Sequence, residues 1–234
     1  MKIEIWSDFV CPFCYIGKRR LEDAIQALPA DAEVELHYKS FELDPDARTE
    51  TEPRMHEKLA KKYNRTLEQA KEMTAHMEGE AKEAGLEFRF DRMIPANTFD
   101  AHRVSKYAEY QGKNQKVTER FLKAALTEGK NIGDSETVYH LAVESGLAPE
   151  AVERILSGEE YGEEVRDEER EAYQLGVQGV PFFVINRKYA ISGAQPKDTF
   201  EDALQQVWDE EKDDYAFTSL NSDKGNTCTE DGCD

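Results

Sequence analysis

The feature that most constrains the fold is a Cys-x-x-Cys pair, Cys11 and Cys14, placed between an alternating segment and a helical one. Residues 2–6 alternate apolar and polar side chains, which is typical of a β-strand. Apolar residues recur with helical spacing over residues 13–28, and residues 33–38 alternate again. This order predicts a β-α-β unit with parallel strands and a right-handed crossover. The cysteine pair is expected at the start of its helix.

A long helical stretch, residues 51–176, follows the β-α-β unit. Thr66 and Gln69 form a capping-box signature at the start of one predicted helix. Further helices are predicted over residues 98–110, 117–126, 135–144, 149–156 and 163–175. Strand patterns then return over residues 182–185 and 189–191, and a last helix is predicted over residues 199–208.

This order predicts an α/β fold in which a helical domain interrupts a smaller α/β domain. The α/β domain is discontinuous and comprises residues 1–50 and 177–211. Residues 51–176 form the helical insertion. Residues 212–234 lose apolar periodicity and are predicted to be a flexible acidic tail that carries a second cysteine pair.

The position of Cys11 and Cys14 predicts redox chemistry. Two cysteines three positions apart on a helix lie on the same side, within reach of one disulfide. Cys11 comes first, where unpaired backbone N–H groups and the helix dipole stabilise a thiolate, and Pro12 suits the first helical turn. Cys11 is therefore the expected nucleophile. Lys18 and Arg19 would favour the thiolate further if their side chains turned back toward it.

The alternative for this motif is half of a zinc site, because Cys-x-x-Cys also supplies two metal ligands. The remaining cysteines lie in the distant tail with four residues between them, and no histidine has ligand spacing. We therefore predict redox chemistry with no metal and no cofactor.

Composition and charge limit the kinds of partner the protein can bind and indicate its cellular location. The 49 acidic and 30 basic residues give a net charge of −19, which disfavours binding to a nucleic-acid backbone. No segment reaches the roughly 18 apolar residues that a membrane span needs. The N-terminal segment has the pattern of a strand rather than of a secretory leader, which favours a cytoplasmic location. Close cysteine pairs in a reducing compartment are more often catalytic or metal-binding than structural.

Four segments, in order, resemble the FrnE-like branch of the DsbA-type thiol–disulfide oxidoreductases. They are Trp6–Gly17, Ala96–Arg103, Gly179–Phe183 and Ser192–Pro196. The resemblance covers roughly residues 1–210. It implies a thioredoxin-like fold with an inserted α-helical domain, which agrees with the order of elements above.

The resemblance also implies roles for residues that the pattern alone does not explain. Pro181 would be a cis-proline that faces the cysteine pair, and the backbone at Val180 would align a bound substrate as an added strand. His102 and Arg103 would lie near the cleft, where they either contact substrate or brace the domain junction. Asn97 or Thr98 is expected to cap the helix that contains them.

The tail pair, Cys228 and Cys233, allows three interpretations. The tail is long enough to reach the first pair, so the two cysteines could relay electrons to or from Cys11 and Cys14 by thiol–disulfide exchange. A weak metal site and an idle tail are the alternatives.

The sequence thus predicts an enzyme that exchanges disulfides with protein or small-molecule thiols, glutathione among them. Whether it acts as oxidase, reductase or isomerase stays open. One alternative is a glutathione-dependent isomerase or transferase of the 2-hydroxychromene-2-carboxylate isomerase or kappa-class type. Such relatives usually carry serine where this chain has Cys11, and retention of both cysteines argues against this alternative. Another is a metal-binding or thiol-buffering protein.

Overall fold

The strand at the start of the chain lies in the middle of a four-stranded sheet with the order β2-β1-β3-β4. The computed structural model describes residues 1–47, 55–214, 228–229 and 232–233. The four strands are β1 (Lys2–Ser7), β2 (Glu35–Ser40), β3 (Phe182–Ile185) and β4 (Tyr189–Ser192). β1 is parallel to β2 and antiparallel to β3, and β4 is antiparallel to β3. The predicted β-α-β unit and the later β-hairpin are confirmed.

Nine α-helices lie in the part of the chain that the structure describes. They are α1 (Pro12–Gln26), α2 (Met55–Lys62), α3 (Leu67–Glu83), α4 (Phe99–Tyr110), α5 (Asn114–Leu126), α6 (Ser135–Glu144), α7 (Pro149–Ser157), α8 (Gly162–Gln174) and α9 (Lys197–Asp214). None of these described helices is long and apolar enough to cross a bilayer.

Most helix boundaries agree with the sequence predictions, and the differences fall on polar turns. Thr66 and Gln69 form the predicted reciprocal capping box of α3. α5 begins at Asn114, three residues before the predicted start, because its first turn is polar and shows no apolar periodicity. α9 is longer than predicted at both ends for the same reason.

The two faces of the sheet are covered by different helices. Ile3 and Ile5 of β1 pack with Leu21 of α1 and with Phe200 and Leu204 of α9 on one face. On the opposite face, Trp6 and Val184 pack against Ala172 of α8. Each fully buried large apolar side chain stabilises the fold by about 1.5–3 kcal/mol. The predicted α/β thioredoxin-like fold is confirmed.

A third and larger hydrophobic cluster fills the helical region and also includes residues next to the cysteine pair. Phe9, Tyr15 and Ile16, which flank the cysteines, are buried in this cluster together with residues of the intervening helices. The cysteine turn is thereby fixed where the sheet meets the helical region. The domain boundary at residue 177 stays a prediction, since α8 lies on its helical side but packs against the sheet.

The predicted acidic tail, residues 212–234, lies mostly outside the described residues. α9 continues to Asp214. Cys228–Thr229 (β5) pairs antiparallel with Gly232–Cys233 (β6), in a register that places the backbone of Cys228 opposite that of Cys233.

Candidate active site

Cys11 is the residue at which the extended chain turns into helix α1. Its backbone is extended, with φ −93° and ψ 111°, and Pro12 occupies the first helical turn. The Cys11 N–H donates to the Asp8 carbonyl oxygen at 3.1 Å, which closes the turn after β1. The Cys11 side chain makes no capping hydrogen bond. Pro12 has no N–H, and the Cys14 N–H donates to the Cys11 carbonyl oxygen at 3.1 Å. The positive end of the helix dipole lies at this first turn, where negative charge is favoured.

Cys14 lies one turn further into α1, with 3% of its surface exposed, and both cysteines are free thiols. Burial raises the pKa of the Cys14 thiol well above its ordinary value, and the neighbouring Cys11 raises it further. The Asp8 N–H, 3.5 Å from the Cys14 Sγ, and the Ser7 hydroxyl act in the opposite direction. Cys14 is therefore held as a protonated thiol.

The Val180–Pro181 segment packs against the cysteine pair, and its peptide bond is cis, as the resemblance implies. The Cys11 Sγ lies 3.5 Å from the Val180 carbonyl oxygen. The approach of this segment to α1 depends on Gly17, where a Cβ atom would lie 3.1 Å from both the Pro181 Cγ and the Phe183 Cζ. Sequence reasoning missed Gly17. Its signal is a glycine inside a helix, which costs stability unless close packing requires it.

His102 projects from α4 toward the loop that precedes Cys11. Only 3% of its surface is exposed. Its ring packs against Phe9 at a centroid distance of 4.7 Å with the two rings tilted, and its Nε2 lies 3.6 Å from the Asp8 Oδ1. The structure thus brings His102 behind the cysteine turn. Contact between His102 and a substrate stays a prediction.

Arg103, the next residue of α4, is hydrogen-bonded to other residues of the helical region. Its guanidinium donates to the carbonyl oxygens of Ile155, Gly158 and Glu160 and to the Asp100 carboxylate. These bonds join α4 to the end of α7. Contact between Arg103 and a substrate also stays a prediction, and it would require some of these bonds to break.

The start of α4 is capped by Asn97, in agreement with the sequence. The Asn97 Oδ1 accepts the Phe99 N–H at 3.0 Å, while its Nδ2 donates to the Glu42 carboxylate and to the Pro45 carbonyl oxygen. Asn97 therefore joins the helix start to the segment after β2.

The side chains of Lys18 and Arg19, whose direction the sequence left open, bind the carboxylates of Glu119 on α5 and of Glu22 on their own helix. Tyr15 also donates to Glu119, at 2.5 Å. Burial alone would raise the pKa of Glu119, but hydrogen bonds from Arg19, Lys18 and Tyr15 outweigh it and lower the pKa to about 2. The two cations bind α1 to α5 because Glu119 and Glu22 offer them nearer negative charge.

The described residues contain no group of three or more His, Cys, Asp or Glu side chains arranged to hold a metal ion. The hairpin places Cys228 and Cys233 opposite each other at the backbone level.

A reduced dithiol at the start of the first helix of a β-α-β unit, beside a cis-proline, defines the class of thioredoxin-like dithiol proteins. Residues 2–205 match the model of the DSBA-like thioredoxin domain. The chain therefore belongs to the DSBA-like thioredoxin-domain family. The finer assignment to the FrnE-like branch stays a prediction.

Two relatives match nearly the whole chain. A probable DsbA oxidoreductase from Streptomyces coelicolor has 38% sequence identity and a TM-score of 0.85, over 100% of this chain and 98% of that one. The uncharacterized protein YwbO of Bacillus subtilis is 30% identical over 90% of this chain and 97% of its own length.

More distant structures share the fold at 19% identity. A 2-hydroxychromene-2-carboxylate isomerase has a TM-score of 0.66, over 92% of this chain and 100% of that one. The cytosolic disulfide reductase DsbM from Pseudomonas aeruginosa, solved with glutathione, has a TM-score of 0.63, over 89% of this chain and 100% of that one.

Proposed function

We propose that this protein is a cytoplasmic thiol–disulfide oxidoreductase in which Cys11 is the nucleophile and Cys14 is the resolving thiol. One observation carries the proposal: the Cys11 Sγ lies at the open start of α1 and 3.5 Å from the Val180 carbonyl oxygen, with the protonated Cys14 buried behind it. Membership of the DSBA-like family supports the same chemistry.

The reaction with a disulfide substrate has two steps. The Cys11 thiolate attacks one substrate sulfur, the other sulfur leaves as a thiolate, and a mixed disulfide forms at Cys11. Cys14 then attacks the Cys11 sulfur, which releases the second substrate thiol and leaves a Cys11–Cys14 disulfide. The dithiol loses two electrons and the substrate gains two. Oxidation of a substrate dithiol is the same sequence in reverse.

We assign substrate alignment to the segment around Pro181. The Val180 backbone would pair with an extended substrate chain as an added strand, which holds the substrate sulfur beside Cys11. The proposed substrates are protein and small-molecule thiols and disulfides. Glutathione is included because the Pseudomonas disulfide reductase that shares this fold was solved with it, and that protein's cytosolic location supports the proposed compartment.

Reduction of insulin or of glutathione disulfide by Cys11→Ser and Cys14→Ser variants tests the assignment. Cys11→Ser should show no activity, because the nucleophile is absent. Cys14→Ser should form mixed disulfides that persist and can be identified by mass spectrometry. Full activity in both variants would show that the site lies elsewhere.

We further propose that Cys228 and Cys233 form a relay pair that exchanges electrons with the Cys11–Cys14 dithiol. The hairpin register supports it, because opposed residues on paired strands are suitably placed to act as one dithiol.

Two measurements on the full-length chain test the relay. In a Cys14→Ser variant, Cys11 should form a disulfide with Cys228 or Cys233, detectable by peptide mapping. Replacing both tail cysteines with serine should slow re-oxidation of the first pair several-fold, whereas Thr229→Ala should not. Unchanged re-oxidation without the tail cysteines would rule the relay out.

Glutathione-dependent isomerisation is the second candidate activity. The fold shared with the 2-hydroxychromene-2-carboxylate isomerase supports this candidate. The presence of a second thiol, Cys14, behind Cys11 argues for disulfide exchange instead. Isomerase turnover with glutathione, in a protein without disulfide reductase activity, would reverse this preference.

A metal-binding or thiol-buffering role for all four cysteines is the remaining alternative. Stoichiometric zinc that survives dialysis, together with unfolding by a chelator, would support it, because structural zinc contributes folding free energy.

A further inference from the structure

Asp8 and His102 form a buried polar pair that the two-step reaction above does not use. Asp8 is 1% exposed and His102 is 3% exposed. The Asp8 Oδ1 and the His102 Nε2 lie 3.6 Å apart, and within the described part of the chain neither atom has a hydrogen-bond partner. Buried polar atoms without partners cost free energy, so two of them facing each other call for an explanation.

The pair is connected to the Cys14 sulfur on two sides. The Asp8 N–H lies 3.5 Å from the Cys14 Sγ. The Ser7 hydroxyl also acts on this sulfur, lowering the pKa of the Cys14 thiol as a hydrogen-bond donor. Ser7 and His102 both line an internal cavity of about 10 Å³, which is close to the volume that one water molecule needs. A polar path thus leads from the Cys14 sulfur through Ser7 to the imidazole.

The proposed reaction needs such a path. Cys14 must lose its proton to attack the mixed disulfide at Cys11, yet burial keeps this thiol protonated. Since Cys14 is 3% exposed, bulk water has little access to the proton. A nearby internal group that accepts it would lower the barrier of the resolving step.

We propose that His102, held by Asp8, accepts the Cys14 proton through the Ser7 hydroxyl when Cys14 resolves the mixed disulfide. This inference rests on the function proposed above. The bond between the Cys11 and substrate sulfurs breaks, the Cys11–Cys14 bond forms, and the substrate leaves as a thiolate with the electron pair. The proton remains on His102 as an imidazolium paired with the Asp8 carboxylate, and it later passes to solvent. In the oxidising direction His102 returns the proton to Cys14.

Two acidic side chains, Asp8 and Glu42, act on His102. The Asp8 carboxylate is fixed by the Leu43 N–H, which donates to its Oδ2 at 2.8 Å. Burial raises the pKa of Glu42, while Arg166 and, more weakly, a charge on His102 act to lower it. Arg166 of α8 already binds Glu42.

The cations around His102 are paired with carboxylates: Arg103 with Asp100, and Lys39, which lines the same cavity, with Glu168. Lys106 follows His102 by one turn of α4 and pairs with Glu109 and Glu168. The Phe9 ring packs against the imidazole in a tilted arrangement.

A two-phase reaction with an aromatic disulfide whose thiolate absorbs visible light tests the proposal. The full-length chain carries Cys228→Ser and Cys233→Ser, so that Cys11 and Cys14 are its only thiols. Attack by Cys11 releases the first aromatic thiolate, and resolution by Cys14 releases the second. His102→Gln should slow the second release roughly 100-fold at neutral pH and change the first by less than about threefold.

The pH dependence separates proton transfer from a structural effect. In the parent protein the rate of the second release should level off with rising pH. In His102→Gln it should keep rising, about tenfold per pH unit, because hydroxide must then remove the proton. Ser7→Ala should slow the second release in the same way, and it decides the question if His102→Gln does not fold. Ser105→Ala, which alters the same cavity without touching Cys14, is the matched control and should leave both phases unchanged.

Equal rates for the second release in the parent, His102→Gln and Ser7→Ala proteins would overturn the proton path. A failure of the proposed disulfide-exchange function would give a different result. In that case the parent protein would show no two-phase release, or Cys11→Ser would retain it.

Discussion

Helix α1 is held by a close apolar contact on one side and by a group of charges on the other. Toward the strands, Gly17 lets Pro181 and Phe183 approach the helix so closely that a single added carbon would lie 3.1 Å from each. Toward the helical region, Tyr15, Lys18 and Arg19 all donate to Glu119 of α5.

The two contacts control different properties. Close packing tolerates changes of a few tenths of an ångström at most, so the glycine side sets the distance between Cys11 and the Val180 carbonyl oxygen. Hydrogen-bonded charges on long side chains can adjust, so the Glu119 side sets how firmly the helical region is attached. We expect substitutions on the first side to change catalysis and those on the second to change stability.

Gly17→Leu should have the largest effect. The added side chain would displace Pro181 and Phe183, with an overpacking cost of about 3 kcal/mol in the free energy of unfolding. Disulfide reductase activity should fall roughly 10- to 100-fold, because small misplacements of reacting groups are costly. Urea unfolding and initial rates measure the two effects.

Gly79→Leu is the matched control for this substitution. Gly79 lies in the interior of α3 and is exposed, and a Cβ added there would meet no atom within 4 Å. Its replacement should preserve activity and should raise stability slightly, because leucine favours helix over glycine. Equal behaviour of the two leucine variants would show that the close contact at Gly17 has no role.

Glu119→Gln should have the second-largest effect, a loss of about 2 kcal/mol in the free energy of unfolding at neutral pH. The loss is smaller than for a fully buried pair because the Glu119 side chain is 32% exposed, and solvent screens the charges. Activity at neutral pH should be nearly unchanged. Glu144→Gln is the control, since Glu144 is 60% exposed and its bond to Arg120 should contribute less than about 0.5 kcal/mol.

Lowering the pH should remove the difference in the free energy of unfolding between the wild-type protein and Glu119→Gln. The pKa of Glu119 is about 2 in the folded state against 4.5 ordinarily. The stabilisation is therefore fully present above pH 4.5 and is lost as the pH falls toward 2. Urea unfolding at several pH values measures it. A stability difference that stays constant over this range would contradict the assignment of the charge to Glu119.

The two sides of α1 also differ in how much of them could be predicted from the sequence. The cysteine turn was predictable because strand, turn, Pro12 and helix are adjacent in the chain and each has its own local signal. The cis-proline segment was accessible only through the family resemblance, because nothing near Pro181 indicates which element it faces.

Contacts between distant residues could not be predicted. Glu119 is one of 49 acidic residues, and nothing in the sequence indicates that it meets α1. For that reason the sequence left open whether Lys18 and Arg19 turn toward Cys11 or toward another partner. Gly17 and the facing of Asp8 and His102 depend in the same way on elements that are brought together only by folding.

Tyr15→Phe should have a smaller effect than Glu119→Gln. It removes the hydroxyl that donates to Glu119 but keeps the ring that stacks on Phe88, so the expected loss is about 1 kcal/mol. In the Glu119→Gln background the same substitution should cost much less, because the acceptor has lost its charge. A double-mutant cycle in urea measures this coupling. Strictly additive losses would show that Tyr15 stabilises the protein through its ring alone.

Gly17→Ala should have the smallest effect on stability and gives the sharpest test of the comparison. Alanine inside a helix is favoured over glycine by about 1 kcal/mol. At position 17 this gain is opposed by the contacts at 3.1 Å, which force Pro181 or Phe183 to shift by a few tenths of an ångström. The free energy of unfolding should therefore change little, while disulfide reductase activity falls. Gly79→Ala lacks the close contacts, so it should gain the full stabilisation and keep its activity. If Gly17→Ala were instead as stabilised and as active as Gly79→Ala, the packing of α1 against the proline segment would be looser than described, and the distance between Cys11 and Val180 would be set elsewhere.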